Sequence, residues 1–66
     1  MLNHNDMTET ASIIYRCLND KNWKSVKYLA NLMRISEGCC QLILTQLVMA
    51  GLAMEDDSGE SFKRRQ

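Results

Sequence analysis

The sequence lacks any long apolar run, and its first residues, MLNHNDMTET, lack the basic and apolar regions of a secretory signal peptide. A membrane-spanning helix needs about 20 mostly apolar residues, and no stretch of this chain approaches that length. We therefore expect no membrane segment and a cytoplasmic location. A chain of 66 residues makes one domain at most, and its small core predicts a thin margin of stability that oligomerisation would improve.

Metal-binding and catalytic side chains are also scarce. The chain has one histidine, His4, and three cysteines, Cys17, Cys39 and Cys40. Adjacent residues on a helix point about 100° apart, so Cys39 and Cys40 are poorly placed to share a metal ion. An odd number of cysteines without a framework spacing favours reduced thiols. No side chain has the neighbours that acid–base or nucleophilic catalysis requires, so we expect no metal, no cofactor and no enzymatic activity.

The clearest pattern that is present lies at residues 35–52, ISEGCCQLILTQLVMAGL. Ser36 is a favoured N-cap residue, and Gly51 stands where a left-handed residue would end a helix. Between them an apolar stripe recurs at helical spacing: Cys40, Ile43, Leu44, Leu47 and Val48. The opposite side carries no positive charge; its residues are Glu37, Gln41, Leu42, Thr45 and Gln46.

Two shorter helices are predicted before this one. Asp6 and Glu9 form a capping-box pattern at the start of a helix over residues 6–19, whose buried stripe is Met7, Ala11, Ile14 and Leu18. Ser25 caps a second helix that ends near Arg34, with a stripe of Val26, Leu29, Ala30 and Met33. Between the two helices lie a turn cluster and a short extended pair, Trp23 and Lys24. We expect Trp23 to cover one end of the core.

After Gly51 the pattern becomes extended. Residues 52–55 and 60–63 predict two short strands, and the glycine-bearing segment 56–59 between them suits a hairpin. Strand alternation then turns one set of side chains, Leu52, Met54 and Phe62, toward the helices, and another, Glu55 and Lys63, outward.

The second and third helices are separated only by Arg34, Ile35 and Ser36. Two helices joined by a three- to four-residue turn form a helix-turn-helix arrangement, in which the third helix takes the place of the recognition helix. The first helix completes a three-helix core, and Ile35 points into it. We expect a flexible N-terminal tail at residues 1–5 and one domain at residues 6–64, of the α+β class and mostly α.

The order helix, extended pair, helix, turn, helix and hairpin resembles the winged helix-turn-helix domain. The motif L-x-x-L-x-x-A-G-L at residues 44–52 is similar to the end of the recognition helix and the start of the wing in many small bacterial regulators. The segment SVKYLA at residues 25–30 resembles the start of their second helix. In size and layout the chain most resembles the small PapI/FaeA-like fimbrial regulators and comparable phage or plasmid-borne regulators. The resemblance implies a transcriptional regulator that binds duplex DNA.

Two features depart from this family. Winged domains that bind left-handed duplexes carry Asn and Tyr on the third helix where this chain has Gln41 and Thr45, so that activity is not implied. Members that read DNA usually carry basic residues on the recognition helix, and residues 37–49 contain none.

Charge gives separate evidence on the partner. A formal net charge of zero argues against strong nonspecific binding, because affinity for the duplex rests mainly on phosphates neutralised by lysine and arginine. The charges are segregated, however, since residues 21–34 and residues 63–65 are basic blocks without acids, whereas four acids lie within residues 55–60. We predict that the basic blocks hold phosphates while the acidic hairpin stays away from them.

The predicted DNA-binding residues are Lys24, Lys27, Arg34, Ser36, Gln41, Thr45, Lys63 and Arg64. Gln41 would read an adenine edge, and Thr45 would meet a base or a thymine methyl group. Ser36 and the first amides of the third helix would hold a phosphate, and the cations would position the protein on the backbone. Singly, an exposed glutamine or threonine is more often only solvated, which is the simpler interpretation of Gln41 and Thr45. A lysine block is also more often only a solubilising face, but the lack of acids within residues 21–34 favours a functional role for that block.

Exposed apolar residues open a second interpretation. Leu2, Leu32, Leu42 and Met49 fall outside the predicted stripes, and an exposed apolar patch often marks a protein contact. A homodimer would enlarge the buried area and double the phosphate contacts. A larger regulatory protein as partner would explain the weak charge equally well, in which case the domain would be a protein-interaction module that does not bind DNA.

Overall fold

The computed structural model describes residues 4–65, and the side chains from Glu9 onward. Its elements in chain order are α1 (His4–Cys17), β1 (Lys24–Ser25), α2 (Val26–Met33), α3 (Glu37–Met49), β2 (Ala53–Glu55) and β3 (Ser61–Arg64). The chain forms a small, mostly helical α+β domain in which α3 packs against α1, α2 and β2.

The first helix begins and ends earlier than its pattern predicts. His4 and Asn5, placed in the expected tail, belong to α1, so Asp6 lies inside the helix and is not its N-cap. The helix ends at Cys17 because the side chain of Asn19 accepts hydrogen bonds from the backbone N–H groups of Lys21 and Asn22, at 2.9 and 2.6 Å. This local turn replaces the next helical turn. The rest of the predicted tail, together with Leu2, lies outside the described residues.

The second helix agrees with its prediction at both ends. Ser25 is the N-cap, and its hydroxyl accepts a hydrogen bond from the Tyr28 N–H at 3.0 Å. Arg34 ends the helix in the left-handed conformation with φ 58°. The N–H groups of Arg34 and Ile35 donate to the carbonyls of Asn31 and Ala30, at 3.2 and 3.0 Å, which is the Schellman pattern.

The third helix also has the predicted caps. The Ser36 hydroxyl accepts from the Cys39 N–H at 3.0 Å. At the other end Gly51 has φ 79°, and its N–H donates to the Val48 carbonyl at 2.9 Å while Leu52 donates to Leu47 at 2.9 Å. The glycine prediction is confirmed, because this second Schellman motif requires a left-handed residue at position 51.

The sheet contains one strand more than the predicted hairpin. Its three antiparallel strands have the order β1-β3-β2, so the short β1 pairs with β3 on the side away from β2. Lys24 faces Phe62 and Ser25 faces Ser61 across the β1–β3 pair. The predicted extended pair therefore lies one residue later than expected, and it joins the N-terminal half of the chain to the hairpin.

The core confirms most of the predicted helical stripes and corrects one strand. Its buried members are Ile14, Leu18, Val26, Leu29, Ala30, Cys40, Ile43, Leu44, Leu47, Ala53 and Phe62. The prediction that Leu52 and Met54 face the helices is wrong, since they are 43% and 40% exposed and Ala53 is buried instead. Leu52 donates its N–H to the end of α3, so the strand begins one residue later and its alternation is reversed.

Trp23 does not cover the core as predicted. It is 44% exposed, whereas Phe62 is fully buried and is the large aromatic residue at the centre of the domain. Trp23 lies on the outer side of the sheet, where the Lys63 ammonium stands 4.7 Å from its ring centroid. Within residues 4–65, no helix is both long enough and apolar enough to cross a membrane.

Candidate nucleic-acid interface

The side of α3 that faces away from the core is polar at its edges and partly apolar at its centre. At about 100° per residue, Gly38, Thr45 and Met49 share the middle of this side. Thr45 and Gln46 are exposed, Gln41 is half-buried, and Leu42 and Met49 are 52% and 81% exposed. The predictions that Leu42, Met49 and Leu32 are exposed are confirmed.

Lys27 and Gln41 meet in one groove. The groove has a volume of about 490 Å³ and lies between the first turns of α2 and α3 and the end of the hairpin turn. Its lining residues are Ser25, Val26, Lys27, Glu37, Gly38, Gln41 and Glu60. The structure thus brings one predicted cation next to one predicted base-reading side chain, but it adds two carboxylates that the sequence-based site did not include.

Ser36 and Arg34 lie in the connection between α2 and α3. The hydroxyl of Ser36 already accepts the Cys39 N–H, so its contribution to an anion would come through the first amides of α3. The amides of Glu37 and Gly38 have no acceptor within the helix, as in any first turn. Arg34 is exposed at the end of α2.

The other three predicted cations lie elsewhere. The Lys24 ammonium stands 5.5 Å from the centroid of the Tyr28 ring, and Lys63 stands over Trp23. Both lysines therefore lie against aromatic rings on or beside the sheet. They form a second basic surface and do not flank α3 directly.

The Arg64 side chain makes hydrogen bonds to backbone carbonyls within the domain. Its Nη2 donates to the carbonyl oxygen of Leu18 at 2.9 Å and to those of Tyr15 and Arg16 at 3.4 and 3.5 Å. The guanidinium carbon stands 4.8 Å from the Tyr15 ring centroid, and the buried Nε has no hydrogen-bond partner. A cation at a helix C-terminus satisfies carbonyls that the helix leaves unpaired. Arg64 thus ties β3 to the end of α1, and we leave it out of the proposed interface.

The hairpin turn is anionic and internally bonded. Asp56 Oδ1 accepts from the Ser58 hydroxyl at 2.8 Å and from the N–H groups of Gly59 and Ser61 at 3.0 and 3.3 Å. The hydrogen bond from Ser58, followed by those from the backbone, lowers the pKa of the Asp56 carboxyl below its ordinary value. A charged Asp56 therefore holds the turn in shape.

The three cysteines, Cys17, Cys39 and Cys40, are free thiols. Cys40 is buried, and burial, followed by the neighbouring Cys39 and Glu37, raises the pKa of its thiol. Among the residues that the structure describes, no group of three or more His, Cys, Asp or Glu side chains is arranged to hold a metal ion.

Sequence reasoning missed two exposed aromatic contacts. Tyr28 is 51% exposed, and the signal was present, because position 28 falls opposite the buried stripe of Val26, Leu29 and Ala30. The exposure of Trp23 had no comparable signal, since it depends on how β1 joins the sheet.

Comparisons of the chain with protein-family models, with curated proteins and with solved structures found no match. We therefore infer a function from the geometry and charges of the described residues.

Proposed function

We propose that the domain is a winged helix-turn-helix transcriptional regulator that binds duplex DNA with α3. The observation that carries this proposal is the exposed side of α3. Helix α3 follows α2 after a short connection, and its exposed side presents hydrogen-bonding side chains without positive charge. An α-helix fits the major groove, where uncharged amides and hydroxyls read base edges.

The positions of two cations support this use of α3. Lys27 lines the same groove as Gln41, and Arg34 is exposed in the turn that leads into α3. Cations beside a recognition helix can reach the phosphates along the groove and fix the register of the helix. Gln41 would then bond an adenine edge, while Thr45 and Leu42 would meet base edges or thymine methyl groups.

Substitution of the cations tests the phosphate contacts. Lys27→Ala combined with Arg34→Gly should weaken binding to all duplex sequences and reduce the salt dependence by about one counterion per lost contact. Arg34→Gly suits this test because glycine adopts the left-handed backbone without strain. The matched control is Arg16→Ala, which removes an exposed cation of α1 and should leave the salt slope unchanged.

Substitution of Gln41 on α3 tests whether the domain recognises the base sequence of the duplex. After an operator is obtained by selection from random duplexes, Gln41→Ala should cost about 1–3 kcal/mol at one base position and little at the others. Glu9→Ala, an exposed change on α1, serves as the control. Equal loss on every sequence would contradict a role for Gln41 in base reading.

Leu42 and Met49 favour a second candidate function. These exposed apolar residues lie near the centre of the α3 side, and an apolar centre with a polar rim is the usual composition of a protein interface. On that alternative the domain is a protein-interaction module that modulates a partner regulator or forms a homodimer. A stoichiometric protein partner that survives nuclease treatment, and that Leu42→Gln with Met49→Gln releases, would favour the module.

A further inference from the structure

Two exposed aromatic rings that α3 does not use lie beside the edge strand β1, Trp23 just before the strand and Tyr28 in the first turn of α2. Trp23 and Tyr28 line one groove of about 450 Å³ together with Lys24, Ser25 and Ser61. The Trp23 and Tyr28 side chains are 44% and 51% exposed, and neither belongs to the buried core. Large exposed aromatics in a single groove are typical of surfaces that bind a flat ligand.

Each ring is paired with a lysine. The Lys63 ammonium stands 4.7 Å from the centroid of Trp23, and the Lys24 ammonium stands 5.5 Å from that of Tyr28. Of the residues that line the groove, only Lys24 is charged, so the groove itself is basic. Charge and aromatic rings together fit a ligand that is anionic and carries π-faces.

From this arrangement we propose that the surface along β1 and the first turn of α2 binds single-stranded nucleic acid, with one base stacked on Trp23, one on Tyr28, and the backbone phosphates held by Lys24 and Lys63. Proteins that bind single strands combine a basic groove with aromatic side chains on which successive bases stack. The proposal adds a second surface to the domain and does not depend on α3.

We expect the bases to displace the two lysine ammonium groups from the aromatic rings. A cation over an exposed ring is held weakly, whereas a base stacked on an aromatic side chain is held more strongly. Lysine side chains are flexible, and a displaced ammonium remains within reach of a phosphate. The cation–aromatic pairs are therefore compatible with stacking of bases on the two rings.

The acidic hairpin turn limits the path of the strand. On another side Trp23 borders a hollow that it shares with Met54 and residues 55–58, which include Glu55, Asp56 and Asp57. Phosphates are repelled from these carboxylates. The strand is thus expected to run from Trp23 toward Tyr28 and the first turn of α2.

Trp23 itself reports the binding, because it is the single tryptophan of the chain. We would titrate the protein with a short oligothymidylate and, separately, with an abasic deoxyribose-phosphate strand of the same length, following the fluorescence of Trp23. Stacking predicts that oligothymidylate quenches the fluorescence and binds at least about tenfold more tightly than the abasic strand.

A matched pair of substitutions tests the second ring. Tyr28→Leu should weaken oligothymidylate binding about tenfold, since one stacked base is lost. Leu32→Ala is the control because Leu32 lies one turn further along α2 with a similar exposure of 53%, and it should change the affinity little. Circular dichroism and thermal melting establish that both variants are folded.

Three results would overturn the proposal: equal affinity for the abasic strand, unchanged affinity in Tyr28→Leu, or equal affinity for a poly-glutamate peptide, which would reveal a surface for any anion. Failure of the duplex-binding proposal is distinguishable from these. Lys27→Ala with Arg34→Gly should affect duplex binding alone, and Tyr28→Leu single-strand binding alone.

Discussion

Arg34 combines an observed backbone constraint with a proposed contact to phosphate. It occupies the left-handed position that ends α2, with φ 58°, where glycine is the favoured residue. A non-glycine residue in this conformation costs about 1–2 kcal/mol, and part of the relief from glycine is offset by the greater freedom of the unfolded chain.

Arg34→Gly should therefore raise the free energy of unfolding by about 0.5–1 kcal/mol, measured by urea denaturation. Arg34→Ala is the matched control, because it removes the same charge but keeps the strain, and it should give no comparable gain. If arginine at this position contacts phosphate, both variants should lose the same amount of duplex affinity. A stability gain in Arg34→Ala equal to that in Arg34→Gly would contradict the backbone explanation.

Arg64 illustrates why the function of a cation is hard to predict from sequence. Its neighbours Lys63 and Arg65 suggested a phosphate-binding block, yet its guanidinium is bonded to carbonyls at the end of α1. Arg64→Lys keeps the charge but loses the planar fork, so it should lower the free energy of unfolding by about 1–3 kcal/mol. Arg65→Lys, at an exposed position, should leave the thermal midpoint unchanged. Equal midpoints for the two variants would mean that Arg64 does not tie β3 to α1.

At the scale of elements, the ends of α3 give a pair of opposite predictions. Gly51 has φ 79°, so Gly51→Ala should destabilise the domain by about 1 kcal/mol through backbone strain. Gly38 lies in the first turn of α3, and an added Cβ would meet no atom within 4 Å beyond its chain neighbours and the backbone of its own helix, so Gly38→Ala should stabilise the domain by up to about 1 kcal/mol. Thermal melting of the two variants measures both effects, and equal signs would contradict the assignment of the caps.

Gly38→Ala has a second use. Its new methyl group would stand in the middle of the exposed side of α3, where close approach to a groove leaves little room. We expect this variant to be more stable yet weaker in duplex binding. Unchanged duplex affinity would place the DNA contact away from the first turn of α3.

The hairpin turn should respond to acid through Asp56. Its carboxyl has a pKa below the ordinary 3.8, so its contribution to stability is present above pH 3.8 and is lost as the pH falls through the lower folded-state value. Asp56→Asn should be less stable than the unchanged protein near neutral pH, and the difference should shrink below pH 3.8. Ser58→Ala, which removes the main hydrogen bond to the carboxylate, should show a smaller change of the same sign. A constant difference at all pH values would contradict this explanation.

The elements themselves were largely predictable from the sequence, because caps and stripes are local signals. Ser25, Ser36 and Gly51 mark helix ends through their own backbone chemistry, and the buried residues of α2 and α3 follow helical spacing. The third strand was not predictable, because a strand of two residues is defined by its partner and not by its own pattern. The prediction that Met54 faces the helices was wrong for a related reason, since the end of α3 determines at which residue β2 begins.

At the scale of the molecule, the charges are segregated only in part, since Lys27 shares its groove with Glu37 and Glu60. Lys27 and Arg34 flank α3, Lys24 and Lys63 lie against aromatic rings, and the hairpin turn is acidic. A neutral protein can still present a locally positive surface, as it does where Lys24 and Lys63 lie against aromatic rings. The basic blocks were visible in the sequence, but their division into two surfaces required the sheet.

The central claim is that the α3 side with Lys27 and Arg34 holds duplex DNA. The most direct test is the affinity for a generic duplex over a series of salt concentrations, with the protein's mass in solution measured on the same sample. We predict salt-dependent binding, and a slope that falls by about two units per protomer in Lys27→Ala with Arg34→Gly, since each phosphate contact adds about 0.9. No binding at low salt, or an unchanged slope in the double variant, would contradict the account.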